Sequence, residues 1–176
     1  ERGQNRYAYN VMSGKWSGYE IVAFDFHYQT TTRSSKGSHT HHHHFSAAVV
    51  RSPLLLQGLS IRPEGLLDKL ADFVGMGDID FESAEFSSRF HVSAADRKWA
   101  YDFLHPRAMQ LLLDAPDFRV QMQGSHVLAY RERTLSPVQL AQGLDLLCGL
   151  LDAMPDYLRR QQAALTGGAD GTCRSD

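Results

Sequence analysis

Asp78-Ile-Asp-Phe-Glu82, Phe86-Ser-Ser-Arg-Phe-His-Val92 and Ser93-Ala-Ala-Asp96 open the stretch 78–113, and its reading decides the fold. Phe86, Phe90 and Val92 recur at strand spacing, so one face of an extended segment points inward. Ser93 to Asp96 has the form of a capping box. The Ser93 hydroxyl is placed to accept from the Asp96 amide, and the Asp96 carboxylate suits the positive end of a helix. Ala95, Trp99, Phe103 and Leu104 then follow at helical spacing. His105-Pro106 interrupts them, because proline lacks a donor and pushes the preceding residue out of the helical region. A second short helix from Pro106 carries Met109, Leu112 and Leu113.

Toward the N-terminus the pattern is that of strands. Arg6 to Trp16 predicts a first strand, Ser17-Gly18 a turn, and Tyr19 to Thr32 a second strand. In the second, Val22, Phe24, Phe26 and Tyr28 make one face while Asp25, His27 and Gln29 make the other. Residues 33–38 read as a polar hairpin loop. A third strand returns through the histidine run to Val50, Pro53 punctuates it, and Leu54–Arg62 reads as a fourth. Pro63-Glu64 then opens a helix with Leu66, Leu67, Leu70, Phe73 and Val74 on one stripe and Gly75 as its stop.

Toward the C-terminus, Asp117–Gln123 alternates as a strand. Gln123-Gly-Ser125 predicts a turn, and His126–Arg131 a hairpin partner. Ser136-Pro137 caps a last helix whose Leu140, Leu144, Leu147, Cys148, Leu151 and Met154 recur at three and four. The order ββββ-α-β-α-ββ-α predicts an α+β domain over residues 6–163: an antiparallel sheet of about seven strands with helices packed on it. A pleckstrin-homology-like arrangement has the same count and the same closing helix. Residues 164–176 read as a disordered polar tail.

The 176 residues are 43% hydrophobic, enough for one full core. A net charge of −2 leaves no basic field to hold nucleic acid or acidic lipid, so neither is expected as a partner. Cys148 and Cys173 do not make a disulfide framework. No P-loop, G-x-G-x-x-G, G-x-S-x-G, H-E-x-x-H or C-x-x-C is present, so no catalytic residue and no cofactor is indicated.

Several phrases together carry a resemblance. They are Tyr9-Asn-Val-Met-Ser-Gly14, Phe24-Asp-Phe-His-Tyr28, Leu59-Ser-Ile-Arg-Pro-Glu64, Phe86-Ser-Ser-Arg-Phe90 and the Leu104-His-Pro106 break. Over residues 6–158 the chain resembles a bacterial family of membrane-anchored proteins, catalogued as a domain of unknown function. Its members carry one or two transmembrane helices ahead of such a domain. The resemblance implies an upstream anchor, an inner-membrane location with this domain on the cytoplasmic face, and a protein or lipid partner near that membrane. It implies no catalytic residue.

Three functional readings follow. The first is a non-enzymatic binding or assembly domain. The second is a metal-assisted hydrolase built on His42, His44, His27 and Asp25. On a strand His42 and His44 share a face, and the hairpin brings Asp25 and His27 opposite them. Against that reading stands a solvated hairpin tip without stoichiometric metal. The third is a lipid or small-molecule binder with a pocket between the sheet and the last helix. Asp78, Asp80, Glu82 and Glu85 alternate with Ile79 and Phe81, which fits carboxylates turned outward better than a calcium loop.

Overall fold

A single 27-residue strand, β3 (Gly37–Pro63), is the spine of the sheet. In the computed structural model, residues 3–35, 37–64 and 77–167 are described. The other strands are β1 (Gln4–Trp16), β2 (Tyr19–Ser34), β4 (Gly77–Ile79), β5 (Phe90–Ala94) and β6 (Arg119–Glu132). The helices are α1 (Ala84–Arg89), α2 (Arg97–Phe103), α3 (Pro106–Asp114), α4 (Pro137–Asp152) and α5 (Asp156–Gly167). The helix expected from Pro63-Glu64 to Gly75 lies almost wholly outside the described residues, as do residues 168–176.

One edge of β3 pairs first with β2, through Ile21↔Val50 to Ser34↔Gly37, and then with β5, through Leu59↔Ala94 to Pro63↔Phe90. The other edge pairs with β6. All the strand pairs are antiparallel, so the expected α+β class holds. The strand count is six among the described residues rather than about seven, because two expected pairs of strands each merge into one and the short β4 is added.

Pro53 does not divide two strands. It sits where β3 carries surplus residues between Arg51 and Leu56, so its missing N–H breaks no regular ladder. Gln123-Gly-Ser125 does not reverse the chain either. Gly124 takes φ +58° opposite Leu56, and both halves of β6 pair with the same β3. Glycine supplies the left-handed backbone of a bend here, where the sequence signal of a hairpin turn is the same.

Two local expectations in the 78–113 stretch are also corrected. Phe86 lies on α1, not on a strand. Ser83 caps that helix, its Oγ accepting from the Phe86 amide at 3.3 Å. Ser93 is not a helix cap but the fourth residue of β5, paired with Ser60 on one side and Asp78 on the other. The cap of α2 is Asp96, whose Oδ1 accepts from the Trp99 amide at 3.1 Å. The expected outcome is that Asp96→Ala costs about 1 kcal/mol. Ser93→Ala, away from any cap, stays within about 0.5 kcal/mol. Urea midpoints at a shared m-value distinguish the two.

The proline break is as read: α2 ends at Phe103 and α3 begins at Pro106. Trp99, Phe103, Leu144, Leu147 and Leu151 are buried in one core with Val50, Leu59, Ile61 and Val92 from the sheet. Helices α2, α3 and α4 thereby bury the stripes that their spacing predicts. The Ser136 cap of α4 is a complete capping box with Gln139. Helix α5, absent from the sequence reading, docks through Leu158 and Gln162. With its amide oriented to match donors to acceptors, Gln162 donates to the Leu55 carbonyl and accepts from Trp99 Nε1 at 3.2 Å.

Candidate ligand cleft

Beside the core, strands β1 and β2 diverge from α4 and leave a cleft of about 620 Å³. Its walls are Met12 and Trp16 of β1, Ile21, Ala23 and Phe24 of β2, and Leu140, Ala141 and Leu144 of α4. Register explains why these side chains meet. Met12 pairs with Ala23, Gly14 with Ile21 and Trp16 with Tyr19, so Met12 and Trp16 stand on the β2 face that α4 covers. Met12 is 54% and Trp16 36% exposed, large apolar surfaces that the core does not use.

One end of the cleft is clamped. Trp16 Nε1 donates to Asp145 at 2.8 Å, and the Tyr19 hydroxyl donates to Asp152 at 2.7 Å. The Cys148 thiol lies 3.8 Å from the Trp16 carbonyl. Burial first, then the hydrogen bond to Asp152, pushes the Tyr19 phenol up to about 12. Burial first, then Asp152 and Asp145, pushes the Cys148 thiol up to about 11. Cys148 is therefore a protonated packing group at neutral pH and not a thiolate nucleophile.

The other end carries the cleft's buried carboxylate. Asp25, 8% exposed, accepts from Asn10 Nδ2 at 2.7 Å and from the Ser46 hydroxyl. Ser46 Oγ in turn accepts from the Leu135 amide at 2.9 Å, tying the start of α4 to the sheet. Asn10 reaches Asp25 because β1 is irregular between Tyr9 and Met12 and Asn10 takes φ +50°. Asparagine tolerates that left-handed backbone better than most residues. A buried carboxyl group held by hydrogen bonds from Asn10 and Ser46 marks this as the polar threshold of an otherwise apolar groove.

The histidine residues lie just beyond that threshold. His27 pairs with His44 and Gln29 with His42. His27, 4% exposed, has Nε2 at 3.1 Å from His42 Nδ1 and its ring centroid 4.7 Å from that of His44. His43 points the other way and stacks on Tyr28 with centroids 4.5 Å apart. The structure thus gathers His27, His42 and His44 but directs both oxygens of Asp25 to Asn10 and Ser46. Among the described residues no three His, Cys, Asp or Glu side chains converge as a metal ion requires.

A pocket between sheet and last helix is the place the third functional reading named. Its residues are another matter. Met12, Trp16, Asn10 and Ser46 carry no ligand-binding motif, and the β1–β2 and β2–β3 registers bring them together.

No family model matches the chain, and no curated protein matches it. Among solved structures, the crystal structure of the mycobacterial trehalose monomycolate transport factor A, TtfA, is similar to it. The TM-score is 0.61 at 13% identity, over 84% of this chain and 72% of that one. At that identity the likeness shows the fold. Among the described residues no helix is long and apolar enough to cross a membrane.

Proposed function

We propose that this chain is a non-enzymatic binding domain acting beside a bacterial membrane, and that the cleft between β1–β2 and α4 holds an apolar chain of its ligand. The observation that carries the reading is the cleft itself. Its volume lies in the range of small-molecule sites, its walls are apolar, and a few polar groups gather at one end. The cytoplasmic face of an inner membrane, reached through an upstream anchor, is the location this reading takes from the family resemblance. The similar protein TtfA is described as a trehalose monomycolate transport factor, which supports ligand handling rather than bond chemistry. The sheet strands β1 and β2 and the helix α4 supply the two walls.

Trp16 lies in the wall and reports occupancy, while Trp99 is 4% exposed and gives a constant background. Titration with the uncharged amphiphile decyl maltoside, below its micellar concentration, is expected to shift the Trp16 emission and saturate. Ala141→Phe sets a phenyl ring in the groove at a half-buried position of α4. That substitution is expected to weaken binding by about tenfold, or about 1.4 kcal/mol. An unchanged emission in the unmodified protein, or equal affinity in the Ala141→Phe variant, contradicts the proposal.

A further inference from the structure

The apolar cleft and the histidine cluster are two parts of one surface. Asp25 and His27 are two residues apart on β2 and so share a face. The ladder sets Tyr9 and Ser46 beside Asp25, and Tyr7 and His44 beside His27. Moving away from α4, the same face passes from apolar walls to the Asp25 threshold and then to His27, His42 and His44.

The hydrogen bonds fix how these rings are used. His27 Nδ1 lies 3.3 Å from the Asn5 carbonyl, which only accepts, so that nitrogen carries the hydrogen. In the neutral His27 ring Nε2 is then an acceptor, and His42 Nδ1, at 3.1 Å, is its donor. The Gln29 amide sits farther from the same nitrogen, at 3.4 Å. His42 is exposed, and its Nε2 makes no hydrogen bond among the described residues. His44 Nδ1 meets the Tyr9 hydroxyl at 3.4 Å, and its Nε2 makes no hydrogen bond among the described residues.

Charge points the same way. The chain has no Asp or Glu from residue 26 to residue 63, nor from 2 to 19. The overall balance of −2 therefore conceals an end of the molecule rich in histidine and poor in acid. From β6, Arg131 pairs with Ser46, the Arg133 amide donates to the His44 carbonyl, and Glu132 is drawn to Arg119. Asp25, the nearest carboxylate on this face, has both oxygens engaged.

We infer that the ligand of the cleft is an amphiphile with an anionic headgroup, a phosphate, sulfonate or carboxylate, seated on His42 and His44 while its tail runs past Asp25 toward Trp16. The inference rests on the cleft reading above and adds the ligand's class. Imidazole exchanges its proton between pH 5 and 8, so anion binding takes up protons and strengthens as pH falls.

Decane-1-sulfonate keeps its charge across this range, and decyl maltoside has none. With Trp16 emission as the readout, the sulfonate is expected to bind about fivefold more tightly at pH 6 than at pH 8. The maltoside is expected to show no such change. The double substitution His42→Gln and His44→Gln is expected to bring the sulfonate to the maltoside's affinity at both pH values. Gln29→Glu is a second variant that leaves every histidine in place. It sets a carboxylate beside His42 and is expected to weaken the sulfonate alone. Equal, pH-independent binding of both amphiphiles to the unmodified protein overturns the headgroup assignment and leaves the cleft reading standing. Binding of neither overturns both.

Discussion

Trp99→Ala is expected to destabilise the fold by about 3–5 kcal/mol, with a fall in Tm of about 6–20 °C. The indole is 4% exposed and stacks on Phe103 with centroids 5.0 Å apart and planes 13° apart. Its loss removes a large apolar surface from the seam between α2 and the sheet, and the flanking backbone is too constrained to close the cavity. It also removes the donor that Gln162 accepts from, so a buried amide on α5 loses a partner. Chemical denaturation followed by far-ultraviolet circular dichroism measures the change. A loss below about 1 kcal/mol contradicts the placement of Trp99 in the core.

A loss of similar size, about 3–5 kcal/mol, is expected for Phe86→Ala. Phe86 is fully buried, and its ring meets Phe81 at 5.4 Å and Phe90 at 5.2 Å. Helix α1 has only six residues, too few to be stable by its own hydrogen bonds. Its one buried side chain therefore holds it against β5, helped by the Ser83 cap and by Ser87 Oγ donating to the Phe81 carbonyl at 2.9 Å. Phe86→Leu keeps most of the apolar volume and is expected to lose less than half as much. Equal losses for Leu and Ala contradict the packing account.

These two residues also show what was legible in the sequence. Trp99 was placed correctly because helical spacing and the His105-Pro106 break act over a whole element. Phe86 was placed on a strand because its four-residue spacing to Phe90 suits a helix as well as a strand, and the run is too short to decide. Ser93 and Asp96 are both good caps, and only the pairing of Ser93 with Asp78 and Ser60 removes it from the contest. The bends at Pro53 and Gly124 failed for one shared reason. Proline and glycine mark any departure from a regular strand, and whether the chain reverses or merely bends depends on the partner strand. β3 and β6 bend together, a long-range fact.

The candidate site divides in the same way. That Asp25 and His27 come near His44 is legible from the hairpin, but the exact pairing of His27 with His44 is not, because a polar loop of about six residues fixes register poorly. A pocket under the helix that Ser136-Pro137 opens, α4, is legible as a place. Its threshold was not, since the Asn10–Asp25 contact depends on an irregularity in β1 at a positive-φ residue. The charge separation was hidden by averaging: net charge counts acids and bases without saying which strands carry them.

The central claim is that the apolar part of an amphiphile lies between β1–β2 and α4. Photochemical cross-linking with an alkyl chain bearing a terminal diazirine, followed by peptide mapping, tests it most directly. The expected label falls on the β1 segment holding Met12 and Trp16 and on the α4 segment holding Leu140 and Leu144, competes away with decyl maltoside, and needs about tenfold more probe in Ala141→Phe. Label spread over exposed apolar residues elsewhere, such as Tyr157 or Leu55, and indifferent to competitor, contradicts it.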